Sequence, residues 1–456
     1  MTQRTRYCAI LFLILFFVPC AWSGDSIPKA AWKRAIGAPL PNAGTRKPNL
    51  TDLIVDGYWQ GAPVGGFGSG TFSRTYRGDF SRWHLKTGVH KYETVDVNQF
   101  AMYQKSEGAS AGIAQVLSAT HPQNRSLSAW KWDYPIGAGD YYALYPKSWY
   151  DYRWDQFPAH VVLEQFSPIL PNNYRESSYP VAVYRWHAEN PTDHAITVSV
   201  MLSWTNMLGW FNSFSRDLSS RRNHGNRNRF ASEPQGAAGI MRGLVFDRNR
   251  FGAVENEWDG QFVIAALESP GVEVSHFTTF NPKDDGKRVW ESFARDGVLA
   301  GNGEDWVSSG ENLAGAITVR FTLKPGERRT VPMVIAWDLP IVEFGSGRKW
   351  YRRYTDFYGT TGTKAWDIAR DGLLKSTEWS DAIDAWQAPY VNDESKPLCI
   401  AANYSTNSTS LPMAARSGDA PWAPTRRLPR VSPSWSVSTI RTTPPSMCAS
   451  TAPCRW

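Results

Sequence analysis

The stretch Ile317-Thr318-Val319-Arg320-Phe321-Thr322-Leu323 alternates apolar and polar side chains without a break. A period of two is the mark of a strand with one buried face. Lys324-Pro325-Gly326-Glu327 follows, with Pro and Gly in the order a type II turn requires. Val331, Met333, Ile335 and Trp337 then resume the alternation, so the pattern predicts a hairpin. Ala195–Leu202, Val181–Tyr184 and Val161–Leu163 read as further strands, separated by turn clusters such as Glu189-Asn190-Pro191-Thr192-Asp193. Few stretches before residue 360 keep a helical period for three turns. Length alone would divide 456 residues into two or three domains. The density of strands instead predicts a mainly β chain with one large two-sheet β-sandwich over residues 24–360.

The pattern changes after Tyr358. Trp366, Ala369, Leu373, Trp379, Ala382, Ile383 and Trp386 recur at three- and four-residue steps. This predicts an amphipathic helix or a broken helical pair ended near Pro389, within a helical linker over 361–398. Three Trp on its inner face need a large surface to dock on, and part of that face is expected to await a partner domain. The chain holds 22 Trp, which implies either a strongly aromatic core or aromatic platforms for a ligand.

The formal charge of +7 lies at the ends. Residues 1–24 carry Arg4 and Arg6 and no acid, while 399–456 carry six Arg against Asp419. Residues 25–398 are therefore neutral, which excludes a nucleic-acid partner for the body. Arg4 and Arg6 precede the apolar run Ile10–Val18, and Ala21-Trp22-Ser23 offers small residues for cleavage before Gly24. That layout predicts a signal peptide over 1–23 and export to the periplasm or the extracellular space. The five cysteines leave residues 21–398 free of Cys, and the eight His show no metal spacing. No disulfide framework, metal or cofactor is expected in the body.

Gly65-Gly66-Phe67-Gly68-Ser69-Gly70 lacks the G-x-G-x-x-G spacing and the Lys-Ser/Thr of a phosphate loop. Its glycines are read instead as permitting a bulge or a close backbone approach. Arg77-Gly78-Asp79-Phe80-Ser81-Arg82-Trp83-His84 is dense in groups that recognise polar ligands. Arg77, Asp79, Arg82, Trp83 and His84 are therefore candidates for contact with substrate or with a neighbouring domain. The plainer alternative is an Arg–Asp network ordering loops, with Trp83 in the core. Glu164, in Glu164-Gln165-Phe166-Ser167-Pro168, is a sixth candidate or else a loop anchor. No pair of carboxylates is identifiable from spacing, so no catalytic residue is assigned. Asn49-Leu50-Thr51 matches a glycosylation sequon.

These residues resemble the N-terminal domain of glycoside hydrolase family 116, the bile-acid β-glucosidase or non-lysosomal glucosylceramidase group. The resemblance rests on Ile27-Pro28 through Trp32, on the glycine loop with Arg77–Trp83, and on Leu163–Pro168. It continues through Ser177–Val183, Ser203-Trp204-Thr205-Asn206, Ala336-Trp337-Asp338-Leu339-Pro340 and Tyr351–Thr355. It implies a β-sandwich, then a helical linker, then an (α/α)6 toroid that carries the chemistry and is the natural packing partner. It also implies retaining hydrolysis of a β-glucoside or a glucolipid, in which a Glu nucleophile faces an Asp acid/base across ~5–5.5 Å.

After Leu398 that resemblance stops, and 58 residues rich in Ser, Thr, Pro and Arg follow. Such a composition is that of a disordered tail. Reading Cys399–Ala415 from the last base of each codon permits Tyr-Arg-Gly-Lys-Leu-Phe-Asn-Glu-Leu-Tyr-Phe-Leu-Ala-Asp-Gly-Gly. That string resembles the opening of the family's catalytic domain, with its nucleophile motif. Restoring one G ahead of it adds a preceding Trp. Two bases in every three are fixed by the protein sequence, so residues 399–456 are expected to be a frame-shifted tail. The Glu codon would then be split across Thr406 and Asn407. The expectation is an N-terminal fragment that is inactive alone, with a secreted carbohydrate-binding sandwich as the alternative.

Overall fold

The computed structural model of the chain describes residues 27–39, 61–89, 91–209, 225–248, 252–301, 313–343 and 347–391. The signal segment, the Asn49 sequon and the tail after Leu398 lie outside the described residues. Two antiparallel sheets face each other. The larger has nine strands, in the order Trp32–Ala35, Gly139–Leu144, Lys147–Tyr152, His160–Phe166, Val181–Glu189, Arg328–Asp338, Gln261–Glu268, Ile240–Arg248 and Asn226–Pro234. The smaller has five, Val272–Phe280, Ala314–Leu323, Ile196–Thr205, Gln99–Ser106 and Ile113–Val116. A four-stranded sheet, Pro63–Val64, Thr71–Arg74, Phe80–His84 and Lys91–Tyr92, sends Phe72, Phe80 and Trp83 into the same core. The mainly β sandwich expected from the sequence is the fold observed.

Eight of the described tryptophans are buried, and the others, such as Trp32, Trp132 and Trp258, are half-buried. Trp83, Trp149, Trp186, Trp204, Trp337 and Trp379 are all fully buried. Phe72 packs against Trp83, Trp204 and Trp337 with ring centroids 5.6, 5.5 and 5.2 Å apart. These rings fill a wide inter-sheet space that aliphatic side chains would leave underpacked.

The hairpin expected at Lys324–Glu327 is not one. Ala314–Leu323 pairs with Ile196–Thr205 and Val272–Phe280 in the small sheet. Arg328–Asp338 pairs with Val181–Glu189 and Gln261–Glu268 in the large one. The tight turn is present, with Glu327 N donating to Lys324 O at 2.9 Å and Gly326 at φ +71°. The chain uses it to pass from one sheet to the other. Gly326 N donates to Asn190 O, and Asn190 N to Glu327 O, each at 3.0 Å, which ties the turn to the neighbouring loop. Ile317, Val319 and Phe321 thus meet the same core as Val331, Met333, Ile335 and Trp337 from opposite sides. Alternation specifies which face is buried but not which strand lies alongside.

Four helices are described: α1 (Lys287–Asp296), α2 (Thr355–Tyr358), α3 (Ala365–Leu374) and α4 (Ser376–Val391). The sequence reading passed over α1, whose ten residues between Gly286 and Gly297 bury only Val289, Trp290, Ser292 and Phe293. The segment expected to be a helical linker is helical, and α3 and α4 cover the outer face of the nine-stranded sheet. Val181, Val183, Val334 and Ala336 face Ile368, Ala369, Leu373, Trp379 and Ile383 in a second core. The intervening Ala182, Tyr184 and Ile335 face the first. Gly372 allows the close approach, since a Cβ there would lie 2.8 Å from Val181 Cγ2. Of the three Trp expected on the inner face, only Trp379 is fully enclosed. Trp366 and Trp386 are half-buried, and Trp366 Nε1 donates to Glu233 Oε2 at 2.6 Å. The stripe spans two helices broken at Lys375, so their inward directions do not coincide. Pro389 falls inside the last turn, and α4 ends at Val391.

Candidate functional site

The glycine loop is a packing device. Gly66 lies so close to the Ser177–Tyr179 backbone that a Cβ would come within 2.5 Å of the Ser178 carbonyl carbon. Phe67 N donates to Ser177 O at 2.7 Å, and Gly65 N to Ser167 Oγ at 2.6 Å. From the other side Trp337 Nε1 donates to Ser69 O at 2.9 Å, and Arg352 Nη1 to Gly68 O at 3.0 Å. The loop carbonyls that accept these bonds are not aimed at a ligand.

The motif Arg77–His84 stays together, but its side chains point in different directions. Trp83 lies in the inter-sheet core, and its Nε1 donates to Glu93 O at 2.9 Å. Arg82 is buried, with Nε donating to His84 Nε2 at 3.2 Å. The fully buried Asp79 accepts from the hydroxyls of Thr75 and Thr94, the latter at 2.7 Å, with half-exposed Arg77 Nη2 at 3.6 Å. The backbone bonds Glu93 N to Ser81 O (2.8 Å) and Val95 N to Phe80 O (3.1 Å) complete the attachment. The motif thereby fixes the segment 93–97.

That segment forms one wall of an open cavity of about 420 Å3. Glu93, Thr94 and Asp96 line it opposite Asn124, Arg125 and Lys283. Burial, with the Asp79 carboxylate nearby, pushes Asp96 up to about 6 against the pull of His121. An acid raised in this way lends stability below its ordinary range and loses it as pH rises past about 6. Asp96→Asn is therefore expected to melt above the natural protein at pH 8 and level with it at pH 4. The gain should be about 1 kcal/mol, reduced from the full shift because the group is partly solvated. The same difference in Tm at both pH values would contradict this origin.

Glu164 stands elsewhere, on the outer face of the nine-stranded sheet under α4. Its Oε1 accepts from Lys147 Nζ at 2.7 Å and from Ser380 Oγ at 3.0 Å. Its Oε2 accepts from Arg185 Nη1 at 2.8 Å and lies 3.4 Å from His187 Nε2. Burial alone would push Glu164 up, yet the Lys147 ammonium, with His187 and Arg185, holds it well below the usual carboxylate range. Burial lowers His187, which is neutral near pH 7. A carboxylate can only accept, so Nε2 carries the proton and Nδ1 accepts from Thr330 Oγ1 at 2.8 Å. Lys147 Nζ also reaches Asp384 Oδ1 of α4 at 2.5 Å. Sequence reasoning missed Lys147, Ser380 and Asp384. Only the i, i+4 spacing of the last two on one helix face was available as a signal.

Residues 61–379 match the family described as "beta-glucosidase 2, glycosyl-hydrolase family 116 N-term". The chain belongs to this glycoside-hydrolase family, as a bearer of its N-terminal domain. Among solved structures it is similar to a protein described as a kojibiose phosphorylase, from the human microbiome. That match has 10% identity over 77% of this chain and 36% of the other, with a TM-score of 0.26. It is also similar to a family GH92 α-mannosidase from Bacteroides thetaiotaomicron, at 12% identity over 79% and 39% of the two chains and a TM-score of 0.30. A GH36 α-galactosidase from Geobacillus stearothermophilus matches at 9% identity over 60% and 40%, with a TM-score of 0.22. The chain spans less than half the length of each, and scores of this size leave the family match as the basis of the assignment.

Proposed function

We propose that the described body is the non-catalytic N-terminal sandwich of a retaining β-glucosidase or glucosylceramidase, and that this chain alone does not cleave β-glucosides. One observation carries the reading: both oxygens of Glu164 are engaged by cations and a hydroxyl inside a packed interface. A nucleophile needs a free lone pair, and a general acid needs a raised pKa. Glu164 has neither, so its role is to anchor α4. In this reading the nucleophile belongs to the sequence hidden out of frame around Thr406-Asn407, and the acid to an (α/α)6 domain beyond it. The domain would be exported through the signal at 1–23, and its substrate would be a β-glucoside or a glucolipid.

The helical side was expected to expose an apolar patch for that partner. Its inner face packs on the sheet, and Leu374 and Tyr390 are exposed on that side among the described residues, with Trp366 and Trp386 half-buried. Trp83, Trp149, Trp186, Trp204, Trp337 and Trp379 are enclosed and offer no platform for a lectin role, while Trp32, Trp132, Trp154, Trp258 and Trp350 are half-buried. The test compares this chain with one in which a single G is restored ahead of the Cys399 frame, both assayed on p-nitrophenyl β-D-glucoside. Background hydrolysis by the first and turnover by the second is expected. Enzymatic turnover by the chain as it stands would overturn the proposal.

A further inference from the structure

The cavity beside the 77–84 motif is open to solvent and lined by charges of both signs. Its volume of about 420 Å3 lies within the range of small-molecule sites. Asp96, Arg125 and Lys283 line it, and none of their side chains makes a hydrogen bond or ion pair with another described residue. Opposite charges facing one space would ordinarily pair off if their walls could close.

These walls are held apart. Leu127 N donates to Asp284 O at 2.7 Å and Ala129 N to Asp285 O at 3.0 Å, which joins the Asn124 and Lys283 loops. Trp130 Nε1 adds a bond to Gly286 O at 3.1 Å. Leu127 is fully buried with φ +51°, a left-handed conformation that a leucine adopts only where its surroundings enforce it. On the other side, Asp79 fixes Thr94 and Asn98 Oδ1 accepts from Thr205 N at 2.8 Å.

The chemistry of the lining narrows the occupant. A cation would meet Arg125 and Lys283, and an anion would meet Glu93 and Asp96. A neutral ligand carrying several hydroxyls suits both, since each hydroxyl donates to a carboxylate while accepting from an ammonium, guanidinium or amide. No aromatic ring is among the described lining residues, so a ligand's apolar face would meet Val95, Val97 and Pro282 while its hydroxyls exchange hydrogen bonds against water. We propose that this cavity binds a neutral, hydroxyl-rich ligand of monosaccharide size. Binding at this site does not depend on whether the chain can hydrolyse a glucoside, so the two proposals fail separately.

The purified full chain would be titrated with D-glucose by calorimetry and saturation-transfer NMR, with inorganic phosphate as an anionic probe. Saturable glucose binding in the millimolar range is expected. Arg125→Ala and Lys283→Ala, both at exposed positions, should each weaken it about ten-fold without moving Tm. Asp96→Asn should weaken it too, whereas Asp155→Ala, outside the cavity, should leave it unchanged. Glucose binding that fails to saturate, or that survives these cavity substitutions, overturns the proposal. Phosphate binding tighter than glucose at the same residues overturns it as well.

Discussion

Lys147→Met is expected to destabilise the chain by about 3–5 kcal/mol, measured by urea unfolding at pH 7. The natural side chain is 1% exposed and places one ammonium between Glu164, Asp384 and the Ser380 hydroxyl. Methionine matches its stem but removes the charge, so the buried Glu164 loses its principal counter-ion. Arg185 remains on the other oxygen and offsets part of the loss. The ion pair itself adds little net stability over a well-packed apolar pair, because desolvation cancels most of its attraction. Breaking one side of it is what costs. The double variant Lys147→Met with Glu164→Gln should therefore recover part of the stability. A single-variant loss below about 1 kcal/mol would mean that the cage is not what secures α4. The effect should also depend on pH. Glu164 is held low, so its contribution is present above the ordinary carboxylate range and lost as acid protonates it.

Trp379→Ala is expected to cost a similar ~3–5 kcal/mol. Trp379 is fully buried in the second core, with its ring centroid 6.3 Å from that of Tyr179 and the Lys375 ammonium 6.0 Å above it. Removing the indole leaves a cavity between α4 and the central strands carrying Phe166 and Val181, which rigid strands fill poorly. Trp379→Phe retains an aromatic ring at the site and should lose less than half as much. Because α3 carries its own contacts to Val181 and Val334, local hydrogen exchange should rise in α4 before α3. Equal exchange in both helices would show that they open as one unit.

Much of the fold can be read from local pattern. Ile196–Thr205, Val181–Glu189 and His160–Phe166 appear close to where their apolar runs place them. The helical period after Tyr358 is likewise borne out as a broken pair. The exceptions have specific causes. Alternation over 317–337 describes a buried face equally well in a hairpin and in a crossing between sheets. Helix α1 is too short for its period to stand out between two glycines. The motif 77–84 is visible as a dense polar cluster, but the cavity it supports draws Arg125 and Lys283 from loops far along the chain. No local spacing links those positions.

The amino-acid order by itself determined the β class, the helical layer, the glycine-dependent approach and the family resemblance, because each depends on neighbours a few residues apart. The three-dimensional structure alone decided that Glu164 is caged rather than available. It alone decided that Trp83, Trp186, Trp204 and Trp337 belong to the core, and that Asp96 faces an open space lined by charges of both signs. Those properties depend on which distant side chains arrive beside a group and on how much water they exclude. Charge and solvation are set by that company, and a one-dimensional pattern does not contain it.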